Sequence, residues 1–446
     1  MSFEILKAAI VDECRALGIT EYEIYYKSSS DTSVEMLKDE ISGFTSSESA
    51  GLCLRLLKDS KMGYAATELM EEGEMRSLVL RAIENAENTE KLDTVGIFKG
   101  SESYNPTTLG NDFVPMSTEQ IKSVAIAMQK ALYASNDKII DGTQSGCSSG
   151  ESEIRLVNSH GLDLCRRVGT SVLMAQAVVN SQGENEAAYC VKKFDESLDL
   201  SEIAAEASGD ALAKIGAGLV PSGKYPTVIS GKQMRSLLSV YSSVFNARNV
   251  QTGMSLLRGK LGEKIAADCV SITDDPDRTN MSTSFDAEGV ATYRKSVVEN
   301  GVLKTFLHNR ESAARDGVES TGNASKAGYA APVGISPYVF CIEAGTLTLD
   351  ELFAKANEGV YITEIKGLHA GANAITGDFS LECAGFMIRG GKKAEAVKSF
   401  TIAGNFFELI KSIDTLSNDL QIGVSGGFTT FGSPDVLLLG ASIAGK

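Results

Sequence analysis

His160, His308 and His369 are the only imidazoles in the chain, and none stands in an HExxH or HxH spacing. A zinc peptidase draws two ligands from one helix because that spacing sets both rings on one face, and no pair here can do so. Singly placed histidines read as hydrogen-bonded structural groups. Two stretches fit the GxSxG pattern of a nucleophile elbow. Gly423-Val424-Ser425-Gly426-Gly427 has no histidine after it, so the required order fails. Gly146-Cys147-Ser148-Ser149-Gly150 leads into a strand-like run, where an elbow must open a helix. Both read as glycine-serine turns. Gly218-Leu219-Val220-Pro221-Ser222-Gly223-Lys224-Tyr225 mimics a phosphate-binding loop, but Tyr225 replaces the Ser or Thr that would hold magnesium, and a linker is the better reading. Among the carboxylates Asp378 stands out, because in Thr376-Gly377-Asp378-Phe379-Ser380 and the following Ala384-Gly385-Phe386-Met387-Ile388 glycine turns lead into an alternating strand. A hydrogen-bonded turn aspartate is preferred to an acid/base role. No residue is assigned to catalysis and none to a metal.

The elements that must position these residues follow from periodicity. Phe3, Ile5, Leu6, Ala9, Ile10 and Leu17 recur at helical spacing with Gly18 as a stop, which predicts a helix over 3–17. β-type runs at 22–27, 34–44, 51–58 and 62–67, with turn residues between them, predict a meander. Helices are expected near 69–90 and 118–134. A second β region opens at Glu151, turns at Ser159-His160-Gly161 and returns through 162–167 and 171–179. Glu40-Ile41-Ser42-Gly43 leading to Gly51-Leu52-Cys53-Leu54-Arg55 resembles Glu153-Ile154-Arg155-Leu156 leading to Gly161-Leu162-Asp163-Leu164-Cys165, which suggests two related half-units. A helix over 200–215 ends at Gly216 and Gly218, and Val220-Pro221-Ser222-Gly223 then punctuates the chain. Beyond it come a helix over 233–245 and strands over 291–306, 338–343, 360–365, 380–389, 400–403 and 436–439. The expected fold class is α+β in two domains: an N-terminal α/β domain with an antiparallel sheet and helices over 1–221, and a β-rich C-terminal domain over 222–446.

Composition excludes several function classes. With 446 residues, 43% of them apolar, the chain can bury sizeable cores. Its 42 basic and 58 acidic residues give 42 − 58 = −16, a field that repels polyphosphate, so no direct nucleic-acid partner is expected. No stretch approaches the ~20 apolar residues that span a bilayer, and Glu4, Lys7, Asp12 and Glu13 interrupt any secretory signal, so no membrane partner is expected. The eight cysteines are scattered without a CxxC pair and read as reduced thiols of a cytoplasmic protein.

Thr376 to Ser380, then Ala384-Gly385-Phe386, then Ile402-Ala403-Gly404-Asn405 resemble the C-terminal signature of the PmbA/TldD family, the modulator of DNA gyrase family. Leu261-Gly262-Glu263-Lys264-Ile265, Phe285-Asp286-Ala287-Glu288-Gly289-Val290, Glu299-Asn300-Gly301-Val302-Leu303, Ser320-Thr321-Gly322-Asn323 and the closing Ile443-Ala444-Gly445 resemble family blocks in the same order. The region 40–67 also resembles the family's, so the likeness runs the length of the chain. Members of the TldD type carry an HExxxH helix after the domain boundary and a cysteine near the C-terminus that completes a zinc site. Here the corresponding helix is Leu237-Leu238-Ser239-Val240-Tyr241-Ser242-Ser243-Val244-Phe245, and Phe431-Gly432-Ser433 falls where the thiolate would be. Ser239, Ser243 and Phe431 therefore mark the positions of lost metal ligands, since hydroxyls are too weakly basic to hold zinc unaided.

The resemblance implies the PmbA (TldE) branch, a metallopeptidase-like fold whose metal site is lost. It implies a heterodimer with a TldD-type subunit that holds the zinc, acting on unfolded or linear peptides, with no cofactor in this chain and a homodimer possible in isolation. Thr376, Gly377, Asp378, Phe379, Ser380, Gly385 and Phe386 become candidate peptide-chamber residues. The rival from another class is a non-enzymatic binding protein that regulates DNA gyrase or a toxin-antitoxin pair.

Overall fold

Apolar side chains at positions 3, 6, 10 and 14 recur every three to four residues, and Phe3–Ala16 is accordingly a helix (α1) with Phe3, Leu6, Ile10 and Cys14 buried. The computed structural model describes residues 2–93, 95–106, 113–279, 281–424 and 429–446. After α1 come strands β1 (Glu21–Leu37), β2 (Glu40–Lys58) and β3 (Lys61–Thr67) and helix α2 (Glu72–Asn88). The run expected as one strand over 34–44 is the tip of a hairpin. Leu37 pairs with Glu40, leaving Lys38 and Asp39 as a two-residue turn with Lys38 at φ +57°. Such a turn usually advertises itself with Asn-Gly or Asp-Gly, and Lys-Asp carries no such signal.

A second unit repeats this order: α3 (Thr118–Ser135), β4 (Gln144–Asn158), β5 (Asp163–Ser181), β6 (Glu184–Lys193) and α4 (Leu200–Leu212). Sequence reasoning missed β6, which Gln182 and Gly183 join to β5 through a turn with both residues at positive φ. The residue match between the halves was wrong, because Gly43 and Gly51 lie in the single strand β2 while Leu156 and Gly161 belong to the β4–β5 hairpin. The units repeat instead in their helix, three strands, helix order. Their strands form one antiparallel six-stranded sheet, β3-β2-β1-β4-β5-β6, joined where β1 pairs with β4.

Alternation along β1 places Ile24, Val34 and Met36 on one face, where α1 and α2 cover one half of the sheet and α3 and α4 the other. The other face carries Tyr25, Cys53 and Leu156 against Phe285 of the second half of the chain. Charged groups cross this contact. Arg55 lies opposite Glu23 at 2.8 Å and reaches Glu288 at 3.8 Å, all three buried, while Arg166 Nε donates to Ser282 O at 2.9 Å.

The second half contains β7 (Gly223–Ile229), β8 (Ile272–Asp274), β9 (Lys295–Glu299), β10 (Val302–Leu303), β11 (Ala324–Ser325), β12 (Gly334–Ile335), β13 (Val339–Ile342), β14 (Gly359–Lys366), β15 (Asp378–Arg389), β16 (Lys392–Asn405), β17 (Ile413–Leu416), β18 (Gln421–Ile422), β19 (Thr430–Ser433) and β20 (Val436–Ala444). The sheet β16-β15-β14-β7-β20-β17 closes on itself where β16 also pairs with β20. A second sheet runs β10-β9-β8-β13-β19-β18, and β11 and β12 form a small ribbon. The strand expected over 291–306 is split by Asn300 (φ +49°) and Gly301 (φ +80°), an Asn-Gly turn that was legible.

Helix α5 (Gly231–Tyr241) packs Met234, Leu237, Leu238 and Tyr241 into the largest core, between the two sheets. Tyr241 stacks on Phe406 with centroids 4.3 Å apart, and its hydroxyl donates to Asp378 O at 3.0 Å. The helix expected to 245 tightens into a 3-10 turn over Ser242–Phe245. No helix among the described residues is long and apolar enough to cross a membrane.

Candidate functional site

A cavity of about 1070 Å³ opens where the edge of the N-terminal sheet meets α5. One wall is Tyr189 to Lys193 of β6, with Glu206 and Asp210 of α4 beside it; the other is Lys232, Arg235, Ser236 and Ser239 of α5, with Leu420 to Val424 and Thr429 to Phe431 around β18 and β19. The helix is held firmly at its N-terminus. Asp435 accepts from Gly231 N at 3.0 Å, and Gln421 Oε1 accepts from Lys232 N at 3.1 Å. Gly231 is required, since a Cβ there would lie 2.4 Å from Ser433 O. Burial raises the Asp435 pKa, against the hydrogen bonds from Gly231 and Ser417 that lower it.

The structure brings Ser239 and Phe431 to this one cavity and leaves Ser243 out of it. Ser243 is exposed in the 3-10 turn, where the i to i+4 alignment of an α-helix no longer holds. Ser239 Oγ donates to Ser236 O at 2.7 Å, and the Phe431 ring stands edge-on to Phe340 at 6.4 Å. A hydroxyl and a phenyl ring do not make a zinc donor set, and among the described residues no three His, Cys, Asp or Glu side chains gather to hold a metal. The family's metal therefore does not fit the residues present.

The charges of the cavity are partly spoken for. Lys192 pairs with Glu206 at 2.9 Å, and Cys190 lies against the same carboxylate, its thiol pushed up to about 11 by burial first and Glu206 second. The Lys232 ammonium stands 4.1 Å over the Tyr189 ring, and Arg235 Nη1 donates to Gln421 O at 3.4 Å. Desolvation lowers the Arg235 pKa. Among the described lining residues the one thiol that lies against a carboxylate, Cys190 beside Glu206, is held in its protonated form.

The signature residues go elsewhere. None of Thr376, Gly377, Asp378, Phe379 and Ser380 lines the cavity; they form a turn locked onto Asn405. Asn405 Nδ2 donates to Thr376 O at 2.8 Å and to Asp378 Oδ1 at 2.9 Å, and Asn405 followed by Thr376 holds the exposed Asp378 carboxyl below its usual range. Gly377 has φ +83° and no room for a Cβ, which would lie 2.6 Å from the Phe407 ring. This is the turn aspartate expected above. Gly385 and Phe386 line a separate cavity of about 100 Å³.

The remaining candidates are structural. Ser148 lies inside β4, paired with Ser33 and Val172, and is no elbow. Ser425, Gly426 and Gly427 lie outside the described residues. Within 218–225, Val220 is buried and Ser222 Oγ exchanges hydrogen bonds with Gly445, as a linker would. His308 is buried beside Ser312 Oγ at 3.3 Å with its pKa lowered by burial, His160 lies 3.9 Å from Glu21, and His369 is exposed. Sequence reasoning missed Lys232, Arg235 and Tyr189. The available signal was a helix opening Gly231-Lys232-Gln233-Met234-Arg235 with no acid in its first turn, in a chain this acidic.

Family models described as PmbA/TldA metallopeptidase domain 1, central domain and C-terminal domain match residues 22–86, 111–215 and 222–445. An uncharacterised protein of Methanocaldococcus jannaschii is 30% identical over 90% of this chain and 93% of its own length. The chain belongs to the PmbA/TldD family. A protein of Methanothermobacter thermautotrophicus named metalloprotease is 28% identical, over 91% of this chain and 89% of its own. A Thermotoga maritima structure described as a modulator of a DNA gyrase has TM-score 0.89 and 29% identity, covering 99% of this chain and 100% of that one. TldE from Thermococcus kodakarensis shares the fold, with TM-score 0.88 and 22% identity over 99% and 100%. In this PmbA/TldD chain the domain 1 and central models divide one continuous sheet between β3-β2-β1 and β4-β5-β6.

Proposed function

We propose that this chain is the metal-free subunit of a heterodimeric TldD/PmbA-type zinc metallopeptidase that degrades or processes unfolded or linear peptides. The observation that supports the reading is that Ser239 and Phe431, the positions where the resemblance puts two of the family's metal ligands, line one cavity, and a hydroxyl too weakly basic to hold zinc unaided and a phenyl ring stand there. Hydrolysis then belongs to a TldD-type partner whose bound zinc lowers the pKa of a water, while this chain supplies part of the chamber that admits extended peptides. The eight free thiols, six of them buried, suit the cytoplasm.

Mixing the chain with the TldD-type protein of the same genome and following a denatured peptide tests this. Cleavage is expected only with both chains present, in a complex of one copy each, and is lost in excess chelator. Cleavage by this chain alone in chelator would refute the reading. Tight binding to a DNA-topology enzyme without any TldD-type protein would favour the regulatory alternative.

A further inference from the structure

The cavity holds two cations that no described carboxylate neutralises. Lys192, Lys193, Lys232 and Arg235 line it against Glu206, Asp210 and Asp419, a positive balance inside a chain of net charge −16. Glu206 is engaged by Lys192, and Asp419 accepts from the Gln421 amide at 3.3 Å. Among the described residues, Lys232 and Arg235 meet no carboxylate within 4 Å; Lys232 has the Tyr189 ring on one side, and Arg235 has one long bond to a carbonyl. Two cations three residues apart on α5 face the same space. The helix N-terminus is not the seat of a ligand, because Asp435 and Gln421 already take the N–H groups of Gly231 and Lys232.

We infer that Lys232 and Arg235 form a carboxylate subsite, which takes the C-terminal carboxylate or an acidic side chain of an extended peptide. Arg presents a planar fork of donors that matches a carboxylate, and Lys232 adds a second charge beside it. A phosphate dianion suits the site less well. Asp210 and Asp419 would oppose its second charge, and the backbone N–H groups that cradle phosphate at a helix N-terminus are occupied. Exposed Tyr189 and Val191 on β6 give the neighbouring peptide residues an apolar surface. The volume of about 1070 Å³ accommodates several residues, since drug-sized ligands occupy roughly 300–1,000 Å³. Only the choice of a peptide as bearer of the carboxylate rests on the proposed function.

The test is calorimetric titration of the full chain, without partner or metal. The ligands are an N-acetylated neutral heptapeptide as free acid, its C-terminal amide, an amide carrying one internal Glu, and inorganic phosphate. The free acid or the Glu peptide should bind about tenfold tighter than the neutral amide, as one charge-assisted contact allows. Which of the two wins identifies the source of the carboxylate. Arg235→Gln and Lys232→Gln should each bring the free acid or Glu peptide to the affinity that the same variant shows for the neutral amide, whatever that affinity is. Thermal melts confirm folding, and Lys232→Gln at a half-exposed site is the variant that decides if Arg235→Gln does not fold. Equal binding of acid and amide, no binding at all, a preference surviving in the folded variants, or phosphate binding as tightly as the peptide acid would overturn the assignment. Failure of the two-chain cleavage assay leaves this result standing, so the two readings fail separately.

Discussion

Two polar regions of this molecule are built on opposite plans. At the contact between the N-terminal sheet and the second half of the chain, charged and polar groups are buried against one another. Arg55 lies between Glu23 and Glu288, and the Asp286 carboxylate accepts from Glu288 N, Val290 N and Ala324 N at 2.8–2.9 Å. Asn323 Nδ2 donates to Asp274, which also holds Lys295 and Tyr338 N. At the cavity, among the described residues, Lys232 has the Tyr189 ring and Arg235 a carbonyl but neither has a carboxylate. The family-like blocks 285–290 and 320–323 supply the first region, and none of the blocks that carry the resemblance supplies a lining residue of the second. Two of the blocks by which the family is recognised supply these buried contacts, while the cavity is built from residues outside those blocks.

Variants can break this contrast. Arg55→Met should cost about 3–5 kcal/mol, because it leaves Glu23 and Glu288 buried without their cation; urea denaturation measures it. Tyr241→Ala beneath the cavity should cost a similar ~3–5 kcal/mol through the emptied stack on Phe406. Gly377→Ala imposes a left-handed backbone on a residue with a Cβ and should cost about 1–3 kcal/mol in the same assay. At the cavity, Ser239→Ala should change stability by no more than about 0.5 kcal/mol, its hydroxyl having served only a backbone carbonyl one turn back. A large loss there would erase the distinction between the regions.

The buried region also responds to pH. Burial first, and Glu288 second, push the Asp286 pKa up to about 7. A carboxyl whose folded pKa is raised binds more protons in the folded state than in the unfolded one between the two values, so its contribution to stability falls as pH rises toward 7 and then levels off. Thermal melts from pH 5 to 8 should show that decline, and Asp286→Asn should flatten it. An unchanged slope in the variant would move the effect to another group.

Helices were the legible part of the fold, because apolar residues at 3, 6, 10 and 14 or at 234, 237, 238 and 241 announce a buried stripe. Two strand features escaped for local reasons. Lys38-Asp39 lacks turn chemistry, and β6 is charged at both ends, Glu184-Asn185-Glu186 and Lys192-Lys193, as an exposed edge strand can be. At the site, Ser239 and Phe431 were legible only through the family resemblance, and Asp378 only as a turn. Tyr189, Arg235 and Gln421 could not be joined from sequence, because they come from three separate elements and no local spacing relates them.

If, as proposed, the positions of Ser239, Ser243 and Phe431 take no zinc, hydrolysis must be supplied by a second polypeptide. Equilibrium dialysis of the purified chain against zinc, followed by elemental analysis, tests it most directly when the complex with its TldD-type partner is dialysed alongside. The expected result is no stoichiometric zinc on the chain alone and one zinc per complex. One tightly held zinc on this chain by itself, lost on substitution near Ser239, would contradict it.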